Sequence, residues 1–498
     1  MAGPDESRGS SSSIVRMPFI VSSNVEKADP ATRKLIRSHV MRGKKQKSER
    51  PDKNQRTTSR GKMAGRTQAA RVKLEEVIEL YTPLVPGRVG SDLSFFEFAD
   101  EVEPLTLLNI AKFHTVAMRI IFPLIMAIGC QADDKEWLYL IGRDAAALHI
   151  TAFAVEGFMD RILRRQEDSA KLAAIVHFHK GLRLLRERLL GEDEETKISD
   201  STISVVVKLA SAAHFDGDYQ ASKQHMEGLR KMVDLRGGPD VFKGKHLLVE
   251  MLRCDLGITM LNGSNHVFFC QPSEPVIEYP EMLLPPSDDK MWSQDSFELL
   301  RNIDNDLATA WRVMRRFCLL VNLGTKTQRL ILPQIIHQTM TAVIYRLLDM
   351  GFAAGSIDET VQHGLLAFSY HVFLQWQDIK LPYHHFATAY RNCILGLKLV
   401  DGVSSQLMLW LLMNGANSVF NISNEAWLRE HLREYSDRCQ LKTWKNMQDI
   451  LQSFMWIELL DEQPGKNIYE SLHLDTGNEW NMNGFGAIGY TLGEIHAM

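Results

Sequence analysis

Histidine pairs, scattered thiols, one glycine triplet and a run of cations are the residues of this 498-residue chain whose types and spacing could support chemistry. His177 and His179 flank Phe178, and His384 and His385 stand together in Leu381-Pro382-Tyr383-His384-His385-Phe386. A metal would need further ligands at recognisable spacing, and no nearby carboxylate or thiol supplies them. On a helix, residues two apart point in different directions, so these histidines read as structural or surface groups. The six cysteines, Cys130, Cys254, Cys270, Cys318, Cys393 and Cys439, are too far apart for a zinc knuckle or a C-x-x-C redox pair. The first fifteen residues are polar and Ser/Gly-rich, unlike a secretory leader, so the thiols are expected to be reduced and mostly buried.

Gly484-Phe485-Gly486-Ala487-Ile488-Gly489 matches G-x-G-x-x-G. A dinucleotide fingerprint needs a strand before it and a helix after it, so that phosphate meets a helix N-terminus. Only nine residues follow here, and no βαβ pattern surrounds them. A P-loop, H-E-x-x-H and G-x-S-x-G are all missing. The expectation is a protein without catalytic residues, metal or cofactor.

Charge is the stronger signal. Residues 1–73 hold 18 Lys and Arg against 6 Asp and Glu, whereas the remainder holds 39 against 55. Between Arg33 and Arg66 there are thirteen cations opposed only by Glu49 and Asp52. Arg42-Gly43-Lys44-Lys45-Gln46-Lys47 forms a compact basic cluster, with Arg33, Lys34 and Arg37 upstream of it. Such runs suit a nuclear import receptor or nucleic-acid phosphates. Phosphate contact gives affinity without base reading, because no folded element there presents side chains to a groove.

The elements behind these residues follow from periodicity. Residues 1–75 are rich in Ser, Lys, Arg, Gln and Gly and are expected to be disordered. Met17-Pro18-Phe19-Ile20-Val21 is a small apolar island, and Asp29 to Met41 reads as a short nascent helix. From about Glu103 onward apolar residues recur at helical spacing. The predicted helices are 105–128, 136–163, 168–190, 198–214, 219–235, 245–261 and 296–322. They continue as 331–350, 359–378, 387–400, 404–420 and 424–460. Sustained strand alternation is nearly absent, so the fold class is all-α: an irregular array of antiparallel helix pairs in two lobes. The first lobe is 76–262 and the second 296–460. A loop over 263–295, with Pro272, Pro275, Pro280, Pro285 and Pro286, separates them, and 461–498 is expected to be an irregular tail. Val116 to Cys130, the most lipid-like segment, is interrupted by Arg119 and falls short of the roughly 20 residues that span a bilayer. Trp410, Trp427, Trp444, Trp456, Met408, Met413 and Met455 read as core. No 34-residue period supports a regular helical repeat.

Several stretches together resemble one family. Phe19-Ile20-Val21, followed by Thr32-Arg33-Lys34-Leu35-Ile36-Arg37-Ser38-His39-Val40-Met41, is similar to the N-terminal signature of fungal-specific transcription-factor-like proteins, some of which carry the label "tachykinin family". The resemblance continues at His225-Met226-Glu227-Gly228-Leu229-Arg230-Lys231-Met232-Val233, Arg236-Gly237-Gly238 and Arg253-Cys254-Asp255-Leu256. It reappears at Leu411-Leu412-Met413-Asn414-Gly415-Ala416 and Phe454-Met455-Trp456-Ile457. It implies a nuclear regulator whose helical domain is like the one that follows the zinc cluster in fungal transcription factors. Those factors hold two zinc ions with six closely spaced cysteines, and the arm here has none, so base-specific DNA reading is not implied.

The expected function is that of a non-catalytic nuclear transcription regulator controlling a metabolic gene set. Its basic arm would meet an import receptor and grip DNA weakly, while its helical domain would bind protein partners or an effector, with no membrane contact. A cytoplasmic helical scaffold, and an enzyme using histidines or buried acids in a helical cavity, are the alternatives.

Overall fold

The computed structural model describes residues 98–114, 124, 136–163, 168–271, 273–284, 299–374, 384–400 and 402–473. The first α-helices are α1 (Pro104–Lys112), α2 (Glu136–Arg143), α3 (Ala145–Leu163), α4 (Asp168–Leu190), α5 (Glu194–Lys197) and α6 (Asp200–Asp216). Next come α7 (Tyr219–Leu235), α8 (His246–Asn262), α9 (Asn305–Thr327), α10 (Pro333–Asp349) and α11 (Ile357–Phe373). The last are α12 (His384–Leu397), α13 (Ser405–Ser418), α14 (Ala426–Arg438), α15 (Trp444–Phe454) and α16 (Glu458–His473). Among the described residues there is no strand, so the all-α expectation holds. The arm residues, the apolar segment 116–123 and the glycine triplet at 484–489 lie outside the described residues.

Local chemistry sets the helix ends. Gly217 takes a left-handed φ of 77° to close α6, and the Asp218 side chain then accepts from Ala221 N to open α7. The turn reverses the chain, and Ser222 Oγ reaches back to the Ala210 carbonyl at 3.3 Å, a closeness that small residues permit. After α7, Gly237 and Gly238 adopt φ of 100° and 93°, and Gly238 N donates to Val233 O at 3.0 Å in a Schellman-type close. Pro104 and Pro333 occupy first-turn positions of α1 and α10.

Three predicted helices are broken. The 296–322 run stops at 303–304, where the Asp304 side chain accepts from Asp306 N and Leu307 N to open α9. The 136–163 run divides at Asp144, whose carboxylate caps α3 through Ala147 N at 3.0 Å and holds Arg188 of α4 at 2.8 Å. The 424–460 run divides twice. Gln440 adopts a left-handed φ of 53°, and Thr443 caps α15 by accepting from Asn446 N. Between α15 and α16 the backbone extends, and its carbonyls are taken by side chains. Trp410 Nε1 donates to Met455 O at 3.0 Å and Asn322 Nδ2 to Trp456 O at 2.8 Å. Helix then resumes to His473, past the Leu460 limit expected from periodicity, because buried Asp461 accepts from Ile457 N at 2.7 Å and opens α16.

The helices on either side of the 263–284 segment converge on one contiguous hydrophobic core. Its centre is aromatic. Trp311 of α9 and Trp410 of α13 meet edge to face at 5.1 Å between centroids, with Phe454 beyond them. Met408, Met413, Met455 and Trp456 are buried there, and Trp427 and Trp444 pack against it.

The segment between the two helical groups is stitched down rather than free. Asp255 on α8, 2% exposed, accepts from Val267 N at 3.0 Å, Phe268 N at 3.2 Å and Tyr345 Oη of α10 at 2.8 Å. Burial pushes its carboxyl up to about 6 against these donors. Arg230 of α7 adds a bond to the Val267 carbonyl and an ion pair with Glu274 at 2.6 Å. Removing Asp255 strands two backbone N–H groups and a phenol in the interior, so Asp255→Ala is expected to destabilise by roughly 3 kcal/mol or more, and Tyr345→Phe by about 1–2 kcal/mol. Thermal melting of the two variants checks that order.

Candidate functional site

Helices α6 and α8 lie side by side and parallel, which follows from three matched pairs. Ser211 Oγ donates to Cys254 Sγ at 3.3 Å, and a Cβ on Gly257 would meet His214 Nε2 at 3.4 Å. Earlier on both helices, Lys208 stands near enough to Glu250 to hold its carboxylate ionised. Small residues bring the helices together at the later pairs, while long polar side chains occupy the earlier ones. On α8, His246, Glu250 and Arg253 fall at i, i+4 and i+7 and share one face. On α6, Ser204 and Lys208 do the same, Lys208 Nζ donating to Ser204 Oγ at 2.7 Å.

Two further elements meet this face. His337 projects from α10, which packs on α8, and His114 follows the end of α1. His246 Nδ1 lies 3.3 Å from Glu250 Oε1, and Arg253 Nη2 donates to the Phe373 carbonyl at the end of α11 at 2.8 Å. The Glu250 side chain keeps 35% of its surface open, and His246 47%. Even so, burial is the largest influence on Glu250, on Arg253 and on His337. These polar groups influence one another's ionisation along the α6–α8 seam.

Their ionisation states follow. Burial would raise Glu250, but Lys208 and His246 overcome it and hold the carboxyl at about 2. Burial brings Arg253 down to about 10, still charged at neutral pH. Burial, with the cations Arg253 and His246 adding to it, lowers His337 to about 4, and burial with Lys208 lowers His114 to about 3. Lys208 and Arg253 thus act on the Glu250 carboxylate, and the imidazoles of His114 and His337 are held well below their ordinary value.

A second polar constellation lies between α3 and α4. His149 Nδ1 and His177 Nδ1 are 2.8 Å apart in nearly stacked, buried rings. His149 Nε2 faces Asp100 Oδ2 at 3.3 Å, and Lys180 Nζ sits 2.9 Å from the same oxygen. Lys180 is the main cause that holds Asp100 down at about 2, so this carboxylate only accepts. His149 therefore carries its proton on Nε2, its Nδ1 accepts, and His177 Nδ1 donates. The chain of contacts fixes the segment ahead of α1 onto the α3–α4 hairpin.

The structure gathers few of the residues singled out in the sequence. Arg33, Lys34, Arg37, Arg42, Lys44, Lys45 and Lys47 lie outside the described residues. His177 is buried in the pair above while His179 is exposed, as their two-residue spacing demands. His384 and His385 border an open depression of about 390 Å³ with Lys223, Asn262 and Ser264. Cys254, Cys318 and Cys393 are buried thiols, and Cys270 is exposed. Among the described residues no group of three or more His, Cys, Asp or Glu is placed to hold a metal ion, and no helix is long and apolar enough to cross a membrane. Sequence reasoning missed His149, His246, Glu250, Arg253 and Lys208. The available signal was a polar i, i+4, i+7 stripe on an otherwise apolar helix.

No protein-family model matches the chain, and neither a curated protein nor a solved structure is significantly similar to it.

Acid should loosen the second constellation. Burial lowers both His149 and His177 below the ordinary imidazole value of 6.5, so the docked state resists protons that an undocked state takes up. Stability of this contact is therefore present above the ordinary value and declines as pH falls below it. Hydrogen exchange of residues 98–112 is expected to accelerate between pH 7 and pH 5 beyond the intrinsic rate. His177→Gln, which still donates to His149 but does not titrate, is expected to flatten that dependence.

Proposed function

We propose that the protein is a non-catalytic nuclear regulator in which a cationic N-terminal arm directs import and touches nucleic acid, while the helical body binds partners or an effector. One observation carries the reading: residues 1–73 have a surplus of 12 positive charges and the rest of the chain a deficit of 16. Polyanions and import receptors are attracted to the former and repelled by the latter, so the two parts serve different contacts. The resemblance to fungal-specific transcription-factor-like proteins supports the regulatory role, and the lack of closely spaced cysteines in the arm limits DNA contact to phosphates. A helical body with a single core suits partner or effector binding.

Deleting residues 31–66 from a fluorescently tagged chain is expected to shift it from nucleus to cytoplasm and to remove its chromatin occupancy. Unchanged distribution would contradict the reading. Binding of the intact chain to duplex DNA is expected to be independent of sequence, with log affinity falling against log salt at a slope near −5 if about six phosphates are neutralised.

A further inference from the structure

We infer that the open depression where α7, α8 and α12 meet is a binding site for a small sugar phosphate, whose phosphate is held by Lys223, Ser264 and His385. The inference rests on the effector-binding half of the function proposed above, deepens it by naming a ligand class, and draws nothing from the arm.

Three observations support it. The first is the cavity itself, about 390 Å³, lined by Gln220 and Lys223 of α7, Asn262 and Ser264 at and after the end of α8, and His384 and His385 in the first turn of α12. Clefts of roughly 300–1,000 Å³ are usual for small ligands. Second, the fold leaves the polar groups there available. Asn262 Oδ1 is buried with no hydrogen-bond partner, an unfavourable state that a ligand hydroxyl would relieve. The described counter-charge of Lys223 is Glu227 at 4.0 Å, with both side chains more than half exposed, a pair too loose to neutralise it. Asp218, which precedes α7, is engaged in capping it through Ala221 N at 3.0 Å. Third, among the described residues no carboxylate lines the depression, so its fixed charge is the Lys223 ammonium and it selects an anion. The donors arrive from three elements, as an ammonium, a hydroxyl and an imidazole N–H. A phosphate monoester offers them three acceptor oxygens, whereas a carboxylate offers two. The first turn of α12 adds the positive end of its dipole on the same side. With the phosphate so placed, Asn262 Oδ1 and the Gln220 amide are left for hydroxyl groups, which the sugar supplies.

Gly263 ties this site to the fold. It takes a left-handed φ of 62° to close α8, and its missing side chain lets the His385 ring rest on the backbone. A Cβ there would fall 2.6 Å from Nδ1 and 2.8 Å from Cε1 of His385, which leaves Nε2 as the nitrogen farther from the backbone. The residue that ends α8 therefore also seats the α12 imidazole between Asn262 and Ser264.

The test is calorimetric titration of the purified full-length chain with glucose-6-phosphate, beside glucose and inorganic phosphate. The sugar phosphate is expected to bind, glucose not to, and inorganic phosphate to bind about tenfold more weakly or less. Lys223 and Gln220 are exposed, so Lys223→Met and Gln220→Glu leave the core untouched. Each is expected to weaken binding about tenfold or more, the first by removing the cation and the second by setting a like charge beside the phosphate. Lys231→Met, an exposed change on the same helix outside the depression, is expected to alter nothing. Every variant keeps the cationic arm, so unchanged affinity in both Lys223→Met and Gln220→Glu would assign the phosphate to the arm and overturn the proposal. No binding, equal binding of glucose or of inorganic phosphate, or an equal loss in Lys231→Met would overturn it as well. Because the readout is on purified protein, its failure leaves the nuclear role intact, and mislocalisation in cells leaves this result intact.

Discussion

A carboxylate buried between two helices governs how this chain is put together. Asp255 receives two backbone N–H groups from the segment after α8 and a hydroxyl from α10, at 2.8–3.2 Å. Taking a carboxylate out of water is unfavourable unless donors replace the solvent, and here the donors belong to distant parts of the chain. The same contact therefore joins the helices before residue 263 to those after residue 299. Arg230 and Arg346 extend it along the connection. Arg346 donates to the Ile277 carbonyl at 2.7 Å and lies over the Tyr279 ring at 4.5 Å. One core, rather than two that merely touch, follows from this stitching.

Side-chain size sets how closely the parallel helices α6 and α8 approach one another. Where Ser211 and Cys254, or His214 and Gly257, face one another, the backbones close up. About one turn earlier a cation, Lys208, and a carboxylate, Glu250, replace the small residues.

Much of the fold was legible because amphipathic spacing and end signals are local. The Asp216-Gly217-Asp218 turn and the Arg236-Gly237-Gly238-Pro239 stop both stand where residue type demanded them. The breaks at Asp144 and at Met455 to Ile457 were not legible, since the Asp144 carboxylate is held by Arg188, and the Met455 and Trp456 carbonyls by Trp410 and Asn322, all from remote helices. The site was less legible still. Charge asymmetry marks the arm, but Lys208 and Glu250 are 42 positions apart, and only the intervening α7 hairpin brings them together.

The way α16 seats itself has a temporal consequence. Gly465 lies so close to the rings of Trp456 and Trp444 that a Cβ there would fall within 2.6 Å and 2.9 Å of them, and α16 rests on α9, α13, α14 and α15. During synthesis, α9 and α13 leave the ribosome well before this covering helix exists. Their tryptophan-rich flank stays open to water, and to chaperones, until residues near 470 have emerged, so the body closes only once α16 has been made.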